Sequence, residues 1–200
     1  MDIKHILQQN PLHTGRSPYR LPANLEHKWE FILRSYGSDE RVSGSVQPLI
    51  GEDDVIYFTL RENNQGSLFA INPDGTEKWT YELDEEPFNP AVGANGTIYV
   101  PTGRGSVYAI SSDGERKWKF DTGRSDRISA VLPGDYHNIY FTDYNYLYSV
   151  DSQGGLNWRS ESVDRGGGSF WGPAMGEDST VYVVWTGFKT LQNARWGALY

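Results

Sequence analysis

The chain has 200 residues, a formal net charge of −8 at pH 7, 14% aromatic residues, 22 glycines and no cysteine. That length supports a full hydrophobic core, and the acidic balance argues against nucleic acid or an anionic membrane as a bulk electrostatic partner. The missing thiols exclude disulfides, cysteine-based zinc sites and thiol catalysis.

Residues 1–27 carry no periodicity. Asn10-Pro-Leu-His-Thr-Gly-Arg-Ser-Pro-Tyr-Arg-Leu-Pro22 holds three prolines and reads as an extended lead-in lying on the domain that follows. No apolar run reaches the length of a membrane-spanning helix. Met1-Asp-Ile-Lys-His-Ile-Leu7 is too short and too polar for a signal peptide, so the expectation is a cytoplasmic protein or one whose leader has been removed. Residues 28–33, Lys-Trp-Glu-Phe-Ile-Leu, read as a lone strand.

Beyond it the sequence repeats. Gly66-Ser-Leu-Phe-Ala-Ile-Asn-Pro-Asp-Gly-Thr-Glu-Lys-Trp79 returns as Gly105-Ser-Val-Tyr-Ala-Ile-Ser-Ser-Asp-Gly-Glu-Arg-Lys-Trp118, and more loosely as Asn145-Tyr-Leu-Tyr-Ser-Val-Asp-Ser-Gln-Gly-Gly-Leu-Asn-Trp158. A fourth copy is expected to open at Gly197-Ala-Leu-Tyr200. The tryptophans are 39 and 40 residues apart, a period that marks a solenoid, propeller or array. Each unit reads as four strands, A to D, with no helical spacing inside it. In the second unit these are Phe88–Val92, Thr97–Val100, Ser106–Ile110 and Glu115–Phe120, joined through Ala94-Asn-Gly96, Thr102–Gly105 and Ser112-Asp-Gly114. Asn95-Gly96 predicts a type I′ hairpin turn, and the Asp-Gly pairs at Asp74 and Asp113 predict hairpins rather than calcium loops. Strand A recurs as Val46–Ile50, Ile128–Leu132 and Trp171–Met175, and strand B as Val55–Phe58, Asn138–Phe141 and Thr180–Val183. A four-stranded sheet cannot cover both its faces alone, so such units stack radially.

The pattern G-x-L-Y-A-I-x-x-D-G-x-x-x-W, with I-Y-V on the preceding strand, resembles the PQQ-type β-propeller repeat of quinoprotein alcohol dehydrogenases and BamB-like proteins. The resemblance covers roughly residues 28–200, and Thr14-Gly-Arg-Ser-Pro-Tyr19 is similar to lead-ins of bacterial members. It implies an all-β propeller of four-stranded antiparallel blades with repeats at about 42–83, 86–122, 127–163 and 169–200. About four blades are expected: three complete, and a fourth split between the termini with 28–33 as its closing strand. Three arrangements follow: part of a seven- or eight-bladed propeller, which the stop in mid-strand favours; a half-propeller that self-associates; or a closed four-bladed ring. The family is often periplasmic or cell-envelope in bacteria.

The strand order sorts the connections onto two faces. The A–B and C–D turns are short and built of turn formers. The D–A connections (Arg34–Ser43, Asp84–Pro87, Thr122–Arg127, Asp164–Phe170) and the B–C connections (Arg61–Gln65, Thr102–Arg104, Asp143–Asn145 and a long Trp185–Trp196) vary, and variable loops on a rigid scaffold commonly carry binding. Arg41, Arg104, Arg127 and Arg165 come from different units and would clamp a carboxylate or phosphate if they converge. The competing reading pairs them with the loop acids Asp39, Glu40, Asp126 and Asp164. Phe170, Trp171 and Trp185 sit where aromatics would stack a ligand at the channel mouth, or pack between blades. Trp79, Trp118 and Trp158 are assigned to blade docking.

No catalytic set stands out. Three of the four histidines precede the first blade and His137 lies in a turn. The resemblance implies a quinone held beside a vicinal disulfide and a calcium ion in the dehydrogenases. Without cysteine that disulfide is impossible, and no acidic pair matches the calcium or base positions. The expectation is a non-catalytic scaffold that binds a protein or peptide, without a cofactor. The alternatives are a fragment of a pyrroloquinoline-quinone-dependent dehydrogenase, which would bind the quinone with calcium, and the sensor propeller of a larger signalling protein.

Overall fold

Runs such as Ser106-Val-Tyr-Ala-Ile110 are apolar or small at every position, which suits a strand covered on both faces, whereas Arg116-Lys-Trp-Lys-Phe-Asp121 alternates and suits a strand with one wet face. The computed structural model describes residues 27–32, 42–43, 47–51, 53–62, 65–128, 130–134, 138–160, 169–176, 178–187 and 190–196. Among these there is no helix, and every strand pair is antiparallel.

The strands fall into four sheets that follow chain order. The first comprises β1 (Val42–Ser43), β2 (Leu49–Ile50), β3 (Ile56–Glu62), β4 (Gln65–Ile71) and β5 (Glu77–Leu83). The second is β6 (Ala91–Val92), β7 (Ile98–Pro101), β8 (Ser106–Ile110) and β9 (Arg116–Asp121). The third is β10 (Val131–Pro133), β11 (Ile139–Thr142), β12 (Leu147–Val150) and β13 (Leu156–Arg159). The fourth holds β14 (Ser169–Met175), β15 (Val181–Gly187) and β16 (Thr190–Trp196). The third strand of the second and third sheets is buried throughout, and the fourth is half-wet.

The turns obey backbone chemistry. Gly75, Gly114 and Gly154 take φ of 89°, 86° and 86° in the three C–D turns, a region closed to most side chains. Each is followed by a register shift in the strand pair, as in a hairpin with a bulge. The turn at Asn95-Gly96 departs from the type I′ expectation. Gly96 N–H donates to Gly93 O and Gly96 has φ 72°, but Asn95 does not have positive φ. A type I turn followed by a left-handed glycine forms instead, helped by Asn95 Oδ1 accepting from Thr97 N.

Packing occurs between successive sheets. Val55, Tyr57 and Leu68 of the first sheet share a buried cluster with Val92, Ile98 and Tyr108 of the second. Tyr99, Val107 and Ala109 of the second join Ile139, Phe141 and Val150 of the third. Leu147 of the third joins Val181 and Val183 of the fourth. Each sheet therefore stacks on the next as a blade.

The tryptophans set this stacking. Trp79 Nε1 donates to Ser112 O at 2.9 Å, and Trp118 Nε1 donates to Ser152 O at 2.9 Å. In each case the indole lies on the left-handed glycine of the next blade, Gly114 or Gly154. Trp29 repeats the contact, donating to Pro73 O at 2.9 Å and lying on Gly75. Phe31 meets the stacked pair Phe58 and Phe69 edge-on, as Phe120 meets Phe141 and Tyr148. Residues 27–32 belong to no described sheet. They nonetheless sit on the first blade as the fourth strand of a preceding blade would.

Three boundaries differ from the sequence reading. Val42–Ser43 pairs with Arg61 and Glu62 rather than lying in a loop. Ser169 and Phe170 belong to β14. Val181–Gly187 and Thr190–Trp196 pair antiparallel, so residues 185–187 and 190–196 of the expected long loop are strand, and β16 starts at Thr190 rather than Gly197. The reason is local: Val181-Tyr-Val-Val-Trp-Thr186 has strong β preference and meets no turn former before Gly187.

Candidate functional site

The D–A and B–C connections of the first three blades interlock. Pro87 bridges Thr102, Gly103 N donates to Glu86 O, and Ile128 N donates to Thr102 O. Gly105, with φ 84°, leaves room for Arg124 O, which would lie 2.0 Å from a β-carbon at that position. The loops are thus fixed by backbone bonds across neighbouring blades.

Two carboxylates are buried beneath them. Glu85 accepts from Thr102 Oγ1 at 2.5 Å and Ser106 Oγ at 3.0 Å and pairs with Lys119 Nζ at 2.5 Å. Asp143 accepts from Asn145 N and Tyr146 N, both at 2.7 Å, and from Tyr148 Oη at 2.8 Å, with Arg124 Nε at 3.4 Å. These bonds supply the partners that buried charges need. Burial works against the Lys119 charge, but hydrogen bonds to Glu85 and Tyr108 and the charge of Glu85 outweigh it and raise its pKa.

The cations also lie on aromatic rings. Lys119 Nζ is 4.8 Å from the Tyr108 centroid, Arg159 is 4.4 Å and Arg124 5.2 Å from that of Tyr146, and Arg61 and Arg127 are 5.6 Å and 3.9 Å from that of Phe88. Arg61 is also paired with Glu86, and its Nε is buried without a hydrogen-bond partner.

Burial, and then hydrogen bonds to Asp84 and Asp143, raise the pKa values of the Tyr108 and Tyr148 phenols; burial raises those of Tyr57 and Tyr99 too. A phenol with a raised folded-state pKa stabilises the fold fully below its unfolded value of about 10 and loses that contribution as pH rises through the folded value. Alkaline titration is therefore expected to ionise the exposed tyrosines first and these buried ones only with a cooperative loss of the β-sheet circular dichroism signal. Ionisation of all tyrosines in one reversible step, with the sheet signal intact, would contradict this.

The candidate residues divide. Arg104 and Arg127 are exposed on the loop face. Asp126 is not the partner of Arg127: it pairs with Arg124, at 2.8 Å from Nε and 2.6 Å from Nη2, while Arg127 turns onto Phe88. Gly103, next to Arg104, has the Glu86 carboxylate and the Phe88 ring within 3.5 Å of where its β-carbon would be. Arg61 and Arg127 thus share the Phe88 ring, and Arg104 follows the glycine that adjoins it. Phe170 and Trp171 lie in β14 opposite Trp185 and Val184 of β15, in strands rather than at loop openings. Arg41 and Arg165 lie outside the described residues. Sequence reading missed Phe88 and Arg61, since Phe88 was assigned to strand A and Arg61 to a variable loop. A phenylalanine beside the strand-A proline, with arginines in the flanking loops, was the available signal. Among the described residues no group of three or more His, Asp or Glu could hold a metal ion, and no helix is long and apolar enough to cross a membrane.

Residues 26–135 match the family model described as outer membrane protein assembly factor BamB. No curated protein matches the chain. Among solved structures, a catalytically inactive variant of virginiamycin B lyase from Staphylococcus aureus, with quinupristin, is 20% identical, with a TM-score of 0.58 over 71% of this chain and 49% of that one. A streptogramin B lyase is 14% identical, with a TM-score of 0.60 over 84% of this chain and 58% of that one. BamB from Moraxella catarrhalis is 16% identical, with a TM-score of 0.55 over 78% of this chain and 50% of that one. The chain spans about half the length of these structures, and at such identities the likeness is one of fold.

Proposed function

Because the chain belongs to the PQQ-like β-propeller family of the outer membrane protein assembly factor BamB, we propose that it is a non-catalytic scaffold that binds a protein or peptide on the D–A and B–C loop face. One observation carries the reading. That face gathers cation–aromatic pairs at Phe88 and Tyr146, with a third beneath it at the buried Tyr108, next to loops tied together by backbone hydrogen bonds. Arginine and aromatic residues are enriched where proteins meet, and a face fixed in advance loses little entropy on binding. The name of the family places its namesake in protein assembly, which fits a scaffold.

The test is selection of peptides from a random library on the whole chain, followed by binding to two variants. Arg104→Glu with Arg127→Glu is expected to abolish binding of the selected peptides while leaving thermal unfolding unchanged. Asp113→Lys, on the opposite face, is expected to leave binding intact. Peptides that bind the double variant as tightly as the original chain would refute a binding role for this face.

A further inference from the structure

We propose that Arg127, exposed and laid on Phe88, is a subsite for a carboxylate of an acidic peptide. The inference rests on the loop-face reading above and names the chemistry of its partner.

The first argument is a local excess of charge. Five described acids of this face are engaged internally: Glu86 with Arg61, Glu85 with Lys119, Asp84 with Tyr108 and Lys119, and Asp126 and Asp143 with Arg124; Asp121, at the end of β9, is exposed and accepts from Gly123 N. Arg104 and Arg127 are exposed, and neither pairs with an acid among the described residues. In a chain of net charge −8, these two cations of the loop face therefore stand without an ion-paired acid among the described residues.

The second argument is orientation. With its guanidinium carbon 3.9 Å from the Phe88 centroid, Arg127 is held against the ring and its donors remain available at the edge of the group. A guanidinium so supported presents a preformed fork to a planar carboxylate. Phe88 is itself fixed, since its N–H donates to Pro101 O and its carbonyl accepts from Thr59 Oγ1 at 3.0 Å. The Arg127 loop and the Arg104 turn are joined through Ile128 N and Thr102 O, so the two cations hold a common frame. Phe88 is a positioning residue; the arginines make the contact.

The experiment is fluorescence anisotropy with a short peptide alternating Glu and Tyr, blocked at both ends, and its counterpart with Gln in place of Glu. The acidic peptide is expected to bind, more weakly at high salt, and the Gln peptide to bind about tenfold or more weakly. Arg127→Lys, which keeps the charge and loses the fork, is expected to weaken the acidic peptide about tenfold. Phe88→Leu is expected to weaken it about two- to fivefold by removing the ring, with the Gln peptide unaffected by either change. Equal binding of both peptides, lost in the Arg104→Glu and Arg127→Glu variant, would overturn the carboxylate subsite and leave the loop face as a peptide site. Binding by neither peptide, or no response to Arg127→Lys, would overturn the subsite; the library selection tests the broader reading separately.

Discussion

Replacing Asp143 with Ala is expected to destabilise the third blade by about 3–5 kcal/mol, the usual cost of removing one partner from a buried charged network. The residue is only 1% exposed, yet its side chain organises four groups. One oxygen accepts the N–H groups of Asn145 and Tyr146, which closes the B–C turn, and the other accepts the Tyr148 hydroxyl and faces Arg124. Alanine would leave two backbone donors and the buried Tyr148 phenol without their acceptor, while Arg124 keeps Asp126. The contrast is Asp126→Ala. Asp126 pairs with the same arginine, but its side chain is 26% exposed, so its loss is expected to cost under about 1 kcal/mol. Urea unfolding followed by tryptophan fluorescence measures both. Adding Tyr148→Phe to Asp143→Ala should cost almost nothing further, because the phenol has already lost its acceptor. Similar midpoints for the two aspartate variants would show that burial does not set the value of this carboxylate.

The repeat made the blades legible, and the particular residues explain where reading stopped. The Trp spacing, the Asp-Gly turns and the I-Y-V runs each carry a physical requirement that survives in sequence: an indole facing a turn carbonyl, a left-handed glycine, a β-rich core strand. Trp79 and Trp118 dock as their recurrence implied, and the same contact at Trp29 follows from its place in Lys-Trp-Glu-Phe. The loop partners were not legible, because they depend on geometry between blades. Arg127 and Asp126 are adjacent in sequence and so looked paired. Adjacent side chains diverge in an extended connection, and Asp126 instead meets Arg124 while Arg127 reaches Phe88. The buried status of Asp143 was hidden for a related reason: an Asp-Tyr-Asn turn looks wet until Tyr148, five residues on from the aspartate, hydrogen-bonds back to it.

Trp118→Ala is expected to lower stability by about 3–5 kcal/mol, as for other large-to-small changes of a packed aromatic residue, with the loss felt at the joint between the second and third blades. Trp118 belongs to one blade by its backbone, in register with Ala109, and to the next by its contacts. Its Nε1 donates to Ser152 O and it covers Gly154, where a β-carbon would come within 2.9 Å of the indole, while inside its own blade the ring meets Tyr99 with centroids 5.8 Å apart. Trp118→Phe separates the two contributions. It keeps most of the apolar cover and leaves Ser152 O near the surface, where water replaces the lost donor, so about 1 kcal/mol is expected. Because blades contact only their neighbours, stability is close to a sum of unit and interface terms. A weakened joint should therefore split unfolding into two transitions, which differential scanning calorimetry resolves. A single cooperative transition displaced no further in Trp118→Ala than in Trp118→Phe would mean that the indole is a local contact and that the blades are held together elsewhere.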